Sequence, residues 1–133
     1  MALGVCLLLA ACSGPKLDGR WVGDRELRTP PGGDPLVAST LGKLILEFEP
    51  GDRFELRDSG LPKAGKVRYA GEKAYLRVDT FFGKPIETQG DEVAARNAEI
   101  ELTPQKDGSL LYYDPKGYDG KSVVLRRESQ PGP

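Results

Sequence analysis

The sequence predicts an all-β domain, a single antiparallel up-and-down barrel of about eight strands. Apolar and polar residues alternate with a period of two through most of the chain after residue 16, as in strands with one buried face. Glycine (17 residues) and proline (11 residues) interrupt this alternation at short intervals, as tight turns between strands require. Closure into a barrel removes the exposed edges of such a series. A β-sandwich or an open meander is the alternative.

The first three strands are expected over residues 19–28, 43–49 and 53–57. The second strand places Leu44, Leu46 and Phe48 on one face and charged side chains on the other. Residues 50–52 read Pro-Gly-Asp, which is typical turn chemistry, and the alternation resumes directly after them. The second and third strands are therefore predicted to form a hairpin.

Five further alternating stretches complete the predicted set of eight strands. They cover residues 66–69, 74–82, 98–102, 109–113 and 122–127. Turn residues separate them, at Gly60, Gly65, Gly71, Gly83, Asp107-Gly108 and Asp119-Gly120. The strands are therefore expected to follow one another through short connections, within a domain that spans residues 17–128.

Two segments break this rhythm. Residues 29–40 are rich in proline and glycine and are expected to form a long loop. Residues 88–97 contain one or two turns of helix, for which Asp91 is the predicted N-cap. Residues 129–133 are expected to be a disordered tail.

The N-terminal residues have the pattern of a targeting signal. Residues 2–11 are apolar and too few to span a bilayer, which takes about 20 residues, but they have the length of a signal-peptide core. Leu9-Ala10-Ala11-Cys12 resembles the lipobox of bacterial lipoproteins. The resemblance implies that residues 1–11 are removed and that Cys12 is diacylated. An ordinary signal peptide, or an apolar strand with a buried cysteine, is the alternative.

The same resemblance predicts where the domain lies. Two or more acyl chains hold a protein stably at a membrane, since each buried CH₂ contributes about 0.8 kcal/mol. Residues 12–16 then form a tether of about 17 Å at most when extended to Leu17. Ser13 follows the cysteine, which resembles an outer-membrane address. We therefore expect a lipid-anchored envelope protein at the outer membrane, facing the periplasm.

A second resemblance concerns the first strand. Gly19-Arg20-Trp21 is similar to the Gly-x-Trp signature of lipocalins. In that superfamily the tryptophan packs at the closed end of the barrel, and a basic side chain from the last strand lies across it. The resemblance implies that Arg126 or Arg127 covers Trp21. A tryptophan in an ordinary core is the alternative.

Composition excludes several classes of function. The 19 basic and 20 acidic residues give a net charge of −1 and are interspersed, which argues against nucleic-acid binding and against a polybasic membrane contact. Histidine is absent, and the two cysteines, Cys6 and Cys12, both precede the domain. The domain therefore lacks the usual acid–base side chain and any zinc site of Cys or His type. We expect no enzyme activity, no metal and no cofactor.

Aromatic residues supply the candidate ligand contacts. Phe81 and Phe82 end a predicted strand, where one ring would face a barrel mouth. Tyr112, Tyr113 and Tyr118 lie beside carboxylates in a predicted hairpin and would suit a sugar or a protein partner. The leading hypothesis is a monomeric envelope protein that binds a small apolar ligand or lipid in or at the barrel. The alternative is a protein-interaction module such as an accessory subunit, a stress sensor or an inhibitor of a secreted enzyme.

Overall fold

A computed structural model describes residues 16–25, 33–97, 99–116 and 120–128 of the chain. These residues form nine strands, two α-helices and one turn of 3₁₀-helix. The strands are β1 (Arg20–Asp24), β2 (Lys43–Glu49), β3 (Arg53–Asp58), β4 (Leu61–Ala70), β5 (Lys73–Phe81), β6 (Lys84–Pro85), β7 (Ile100–Pro104), β8 (Leu110–Tyr113) and β9 (Val123–Arg127). The helices are α1 (Pro35–Gly42) and α2 (Asp91–Arg96), and the 3₁₀ turn covers Ile86–Thr88.

Eight of the strands close into an antiparallel barrel. Around the barrel their order is β1, β2, β3, β4, β5, β7, β8 and β9, and β9 pairs again with β1. Every neighbouring pair is antiparallel, and the short β6 is an additional strand that pairs with β5. The prediction of an up-and-down barrel of about eight strands is confirmed.

Side chains fill the middle of the barrel. Alternate residues of each strand point inward and form one core: Trp21, Leu44, Leu46, Phe54, Leu56, Val67, Ala74, Leu76, Val78, Ile100, Leu102, Leu110, Tyr112, Val123 and Leu125. Most of these side chains have no more than 1% of their surface exposed. A void able to hold a ligand would leave the side chains that line it partly exposed. The core is therefore packed.

One end of the barrel is crossed by residues 16–19, which we name the strap. The turns that lie at this strap end are residues 50–52, 71–72 and 105–109. Leu17, Phe48 and Tyr69 pack against the core from this side while remaining partly exposed. The strap end is therefore where the described chain begins.

The opposite end, which we name the helix end, carries α1 and α2. The C-terminus of α1 is fixed here, because the Arg25 N–H donates to the Gly42 carbonyl at 2.8 Å. Gly42 allows this approach, since a Cβ at that position would lie 2.7 Å from the Arg25 carbonyl oxygen. The helix therefore rests directly on the end of β1.

The long loop predicted over residues 29–40 is wrong for its second half, which is helical. The helix α1 starts at Pro35, whose fixed φ suits the first helical position. The Asp34 carboxylate accepts a hydrogen bond from the Leu36 N–H at 2.9 Å, as a capping residue does. These two residues are a helix-start signal. Residues 29–32 lie outside the described part of the chain.

Gly65 was predicted to separate two strands, but it lies inside β4, which extends from Leu61 to Ala70. The pairing with β5 shifts between Ala64 and Gly65, which marks a β-bulge. A Cβ on Gly65 would lie 1.9 Å from the Arg77 carbonyl oxygen, so only glycine fits. The glycine therefore permits a close approach of two strands and does not end one.

The predicted helical turn near residue 91 exists, but its cap is different. The N-cap of α2 is Gly90, whose φ of 96° and ψ of 161° suit glycine, and Asp91 is the first helical residue. Asp91 and Glu92 both lie in the first turn, where carboxylates interact favourably with the helix dipole.

Several of the predictions concern residues outside the described part of the chain. These are the signal peptide, Cys12, most of the tether, Tyr118 and the tail.

Candidate functional site

Trp21 closes the strap end of the barrel from the inside. Its side chain is 5% exposed, and its residue pairs with Leu46 on β2 and Arg127 on β9. The indole N–H donates to the Asp18 carbonyl at 2.9 Å, which satisfies the one polar group of the ring. Trp21 therefore joins the first strand, the last strand and the strap.

Of the two candidate arginines, Arg127 covers the tryptophan. Its guanidinium carbon lies 5.1 Å from the centre of the Trp21 ring, within the range of a cation–π contact. The same guanidinium binds the Asp18 carboxylate at 2.5 Å, and Gly19 lies beside it. Arg126 points outward and forms an ion pair with Asp107 at 3.7 Å.

Polar contacts hold the strap across the barrel mouth. The Leu17 N–H donates to the Tyr69 hydroxyl at 3.0 Å, and the Lys16 ammonium lies 3.2 Å from an Asp52 carboxylate oxygen. The Phe48 N–H donates to the Gly19 carbonyl at 3.0 Å. The strap therefore has a defined position over the end of β2 and β4.

A cavity of about 420 Å³ lies between the strap and the β2–β3 turn. Its apolar surface comes from Leu17, Phe48, Val67 and Tyr69. Its rim is charged and is formed by Lys16, Asp18, Glu49, Asp52 and Arg53. The cavity opens to solvent at the end from which the chain leads back toward Cys12. An apolar floor below a polar rim suits an amphiphilic molecule.

The helix end is closed by a buried ion pair. The Arg25 guanidinium binds the Asp58 carboxylate through two hydrogen bonds, one of them 3.0 Å from Nη2 to Oδ2. The two side chains are 3% and 12% exposed. Parallel donation of this kind fixes the geometry of both side chains. The pair therefore joins the end of β1 to the end of β3.

Two further polar groups are buried beside this pair. Burial raises the pKa of the Tyr112 hydroxyl well above its usual value, and the nearby charges of Asp58 and Asp114 raise it further. Burial also raises the pKa of Asp114, although the hydrogen bond from the Lys116 N–H and the charge of Lys63 oppose this shift. Burial therefore disfavours the charged form of each group in the folded protein compared with water.

Phe81 and Phe82 lie at the helix end. Phe81 is the last residue of β5, and Phe82 lies in the turn that follows it. Phe81 is half-buried, whereas Phe82 is 54% exposed, and the two rings meet edge to face with centres 4.7 Å apart. Phe82 and Gly83 both have positive φ, of 53° and 74°. A bulky residue in this left-handed region is strained.

The predicted ligand residues are not gathered in one site. Tyr112 points into the core and is 1% exposed, so it does not form the exposed tyrosine cluster predicted with its neighbours. Tyr113, the next residue, is 37% exposed on the outer wall. The period of two of a strand explains this separation, since successive side chains take opposite faces.

An exposed apolar surface that was not predicted from the sequence lies at the helix end. It consists of five side chains, which we name the helix-end patch: Leu36, Val37, Leu41, Leu61 and Phe82, with exposures from 41% to 73%. Hydrogen bonds connect the segments that carry Leu41, Leu61 and Phe82, because the Ser59 hydroxyl donates to the Leu41 carbonyl and the Phe82 N–H donates to the Pro62 carbonyl. The three positions on α1 were missed because a loop was predicted there.

Other kinds of site are not found among the described residues. No group of three or more acidic or cysteine side chains is placed to hold a metal there. In the same part of the chain, none of the helices has the length and apolar character needed to cross a membrane.

Comparison with known proteins adds no family to this description. No protein-family model, no curated protein sequence and no solved structure matches this chain significantly.

Proposed function

We propose that this chain is a non-enzymatic envelope lipoprotein, anchored through acyl chains on Cys12, which binds a small apolar ligand or lipid at the strap-end mouth of its barrel. The lipobox-like residues Leu9-Ala10-Ala11-Cys12 support the anchor. The absence of histidine from the sequence supports a binding role over acid–base catalysis.

The strap-end cavity is the observation that carries this proposal. Its volume of about 420 Å³ falls in the usual range for small-molecule sites. Because the middle of the barrel is packed, the mouth offers more room than the interior. The strap forms one wall of the cavity and is also the segment that follows the tether. A ligand drawn from the membrane would therefore meet this end first.

Metabolic labelling with a fatty-acid probe tests the anchor. We expect the full-length chain to be labelled and the Cys12→Ala variant to be unlabelled, because only the Cys12 thiol receives the diacyl group. Cys6→Ala is the matched control and should be labelled like the wild type, since Cys6 lies in the segment to be removed. Equal labelling of wild type and Cys12→Ala would contradict the anchor.

Native mass spectrometry of the full-length protein, purified from membranes, tests the ligand. We expect a lipid-sized adduct that falls about tenfold or more in Val67→Phe, which fills the floor of the cavity. Val78→Phe is the matched control, because Val67 and Val78 are both 7% exposed and only Val67 lines the cavity. An adduct that persists in Val67→Phe would place the ligand elsewhere, and a wild type without adducts would contradict ligand binding.

Protein interaction is the second candidate function. The observation in its favour is the helix-end patch, because large apolar side chains on a surface commonly mark contacts with other molecules.

A further inference from the structure

The helix-end patch contains one side chain that the fold holds outward at a cost. Phe82 occupies the first position of a two-residue turn in which both residues have positive φ, where asparagine or glycine is preferred. Its ring is 54% exposed, and burial therefore does not compensate this backbone conformation fully. Strained residues that persist at a surface often belong to binding sites. The position of Phe82 therefore indicates a role outside the core.

Cationic side chains border the patch on its β3 and β6 sides. Arg57 lies opposite Pro62, next to Leu61, and Lys84 lies two residues beyond Phe82. Neither forms an ion pair with another residue in the described ranges. On the Arg57 side a cleft of about 230 Å³ runs over Pro62, Ala64 and Gly83, and its charged lining of Arg57, Lys63 and Glu55 is net positive. A partner with carboxylates beside apolar groups would complement this surface.

The size of the patch favours a short segment over a second copy of the chain. Its five side chains expose on the order of 500 Å², which is typical of functional patches on monomers. A stable dimer normally buries about 800 Å² on each partner. A peptide segment that lays two or three side chains across the patch needs less area.

The position of the patch argues against a membrane as its occupant, and this step rests on the proposed anchor. Cys12 lies four residues before Lys16 on the strap, so the tether reaches about 14 Å at most. Strands as long as β4, tilted as in small barrels, separate the two ends by about 25 Å. With the barrel axis upright on this tether, the helix end therefore lies about 25 Å farther from the bilayer than the strap end does.

We infer that the helix-end patch is a docking surface for a segment of another envelope protein, in which apolar side chains stand beside carboxylates. The apolar side chains would cover Leu41, Leu61 and Phe82. The carboxylates would pair with Arg57 and Lys84 at the rim. Docking and the strap-end ligand would then use opposite ends of one barrel.

Site-specific photo-crosslinking in cells that make the full-length protein tests this inference. A photoreactive amino acid replaces Leu61 or Phe82 in turn, and the same residue in place of Lys106, at the strap end, is the control. We expect protein adducts from the first two positions, with the crosslinked segment rich in carboxylates and apolar residues. Yields no higher than at Lys106, adducts of twice the chain mass, or lipid adducts would each overturn the inference.

Two sets of variants separate docking from folding. Arg57→Glu combined with Lys84→Glu should lower the Leu61 crosslink about tenfold, because like charges would then face the segment. Phe82→Asn should lower it similarly while the melting temperature stays the same or rises, since asparagine suits this turn. Crosslinks unchanged by both would overturn the inference.

The proposed anchor and the proposed docking surface are tested by separate measurements, so either can be contradicted without the other. Fatty-acid labelling of the same cells reports on Cys12 and does not depend on crosslinking. An unlabelled chain that still crosslinks at Leu61 would remove the anchor but keep the docking surface. A labelled chain without these crosslinks would do the reverse.

Discussion

The two ends of the barrel are sealed by different interactions. At the strap end Leu17 packs against the core that contains Trp21, and the half-exposed Arg127 lies over the ring. At the helix end the seal is the ion pair of Arg25 with Asp58, with the buried Asp114 beside it. The buried group at the strap end is thus an aromatic ring packed in hydrocarbon, whereas the buried groups at the helix end are paired charges.

The two kinds of seal differ in how well they tolerate substitution. When an apolar side chain of a seal is truncated, the free energy of unfolding falls in proportion to the apolar surface and volume that are removed. A buried ion pair is worth little compared with an apolar pair, but the loss of one partner leaves a charge without compensation. The helix end is therefore expected to be sensitive to single changes and tolerant of a matched double change.

The largest expected effect is at the helix end. Asp58→Ala should lower the free energy of unfolding by about 3–5 kcal/mol, because the Arg25 guanidinium then loses its bidentate carboxylate. Arg25→Met combined with Asp58→Leu should return within about 1 kcal/mol of the wild type. Urea denaturation measures both. A double variant as unstable as the single one would show that the two ends do not differ in this way.

A similar loss is expected at the strap end, without a similar rescue. Trp21→Ala should cost about 3–5 kcal/mol, because it leaves a large void under the strap. Arg127→Ala in the Trp21→Ala background should not restore stability, since the lost term is apolar packing. The same denaturation series decides. A loss in the free energy of unfolding below about 1 kcal/mol would show that the indole contributes little to the seal.

A smaller effect separates the two arginines of β9. Arg127→Ala should cost about 0.5–1 kcal/mol, the value of a cation–π contact with partial solvent exposure. Arg126→Ala is the control and should change stability by less than about 0.5 kcal/mol, because its ion pair with Asp107 is exposed. Equal costs would remove Arg127 from the seal.

The smallest effect concerns Asp114 and depends on pH. Because the pKa of Asp114 is raised on folding, its contribution to stability is fully present below the unfolded value near 3.8 and is lost as pH rises through the folded value. Asp114→Asn keeps an acceptor for the Lys116 N–H. It should therefore gain on the wild type, by about 1 kcal/mol or less, as pH rises from 4 to 7. Unfolding curves across this range measure the difference, which should stay constant if Asp114 is not perturbed.

The alternation of side chains was enough to predict the barrel. The positions Leu44, Leu46, Phe54 and Leu76 all belong to the core, because a period of two assigns each strand an inner face. Closure followed from the number of consecutive strands. The predictions that were wrong concern local structure. Gly65 has the same sequence signature in a turn and in a bulge, and the distinction depends on Arg77, twelve residues away.

The sites depend more on tertiary structure. The resemblance to lipocalins implied that Arg126 or Arg127 would cover Trp21, but the choice between them is set by the register of β9 with β1. The Arg25–Asp58 pair joins residues far apart in the chain that no motif connects. The strap-end cavity is also invisible in the sequence, since Leu17 and Tyr69 meet only when the strap crosses the mouth.

The short β6 ends the series of paired strands, and its composition has a consequence for association. Its two residues are Lys84, a charge that opposes stacking of identical edges, and Pro85, which has no N–H to donate. Within the described ranges, each of the other eight strands has at least two hydrogen-bonded neighbours, and β5 has three. A crowded population of this protein would therefore have little opportunity to polymerise through main-chain pairing.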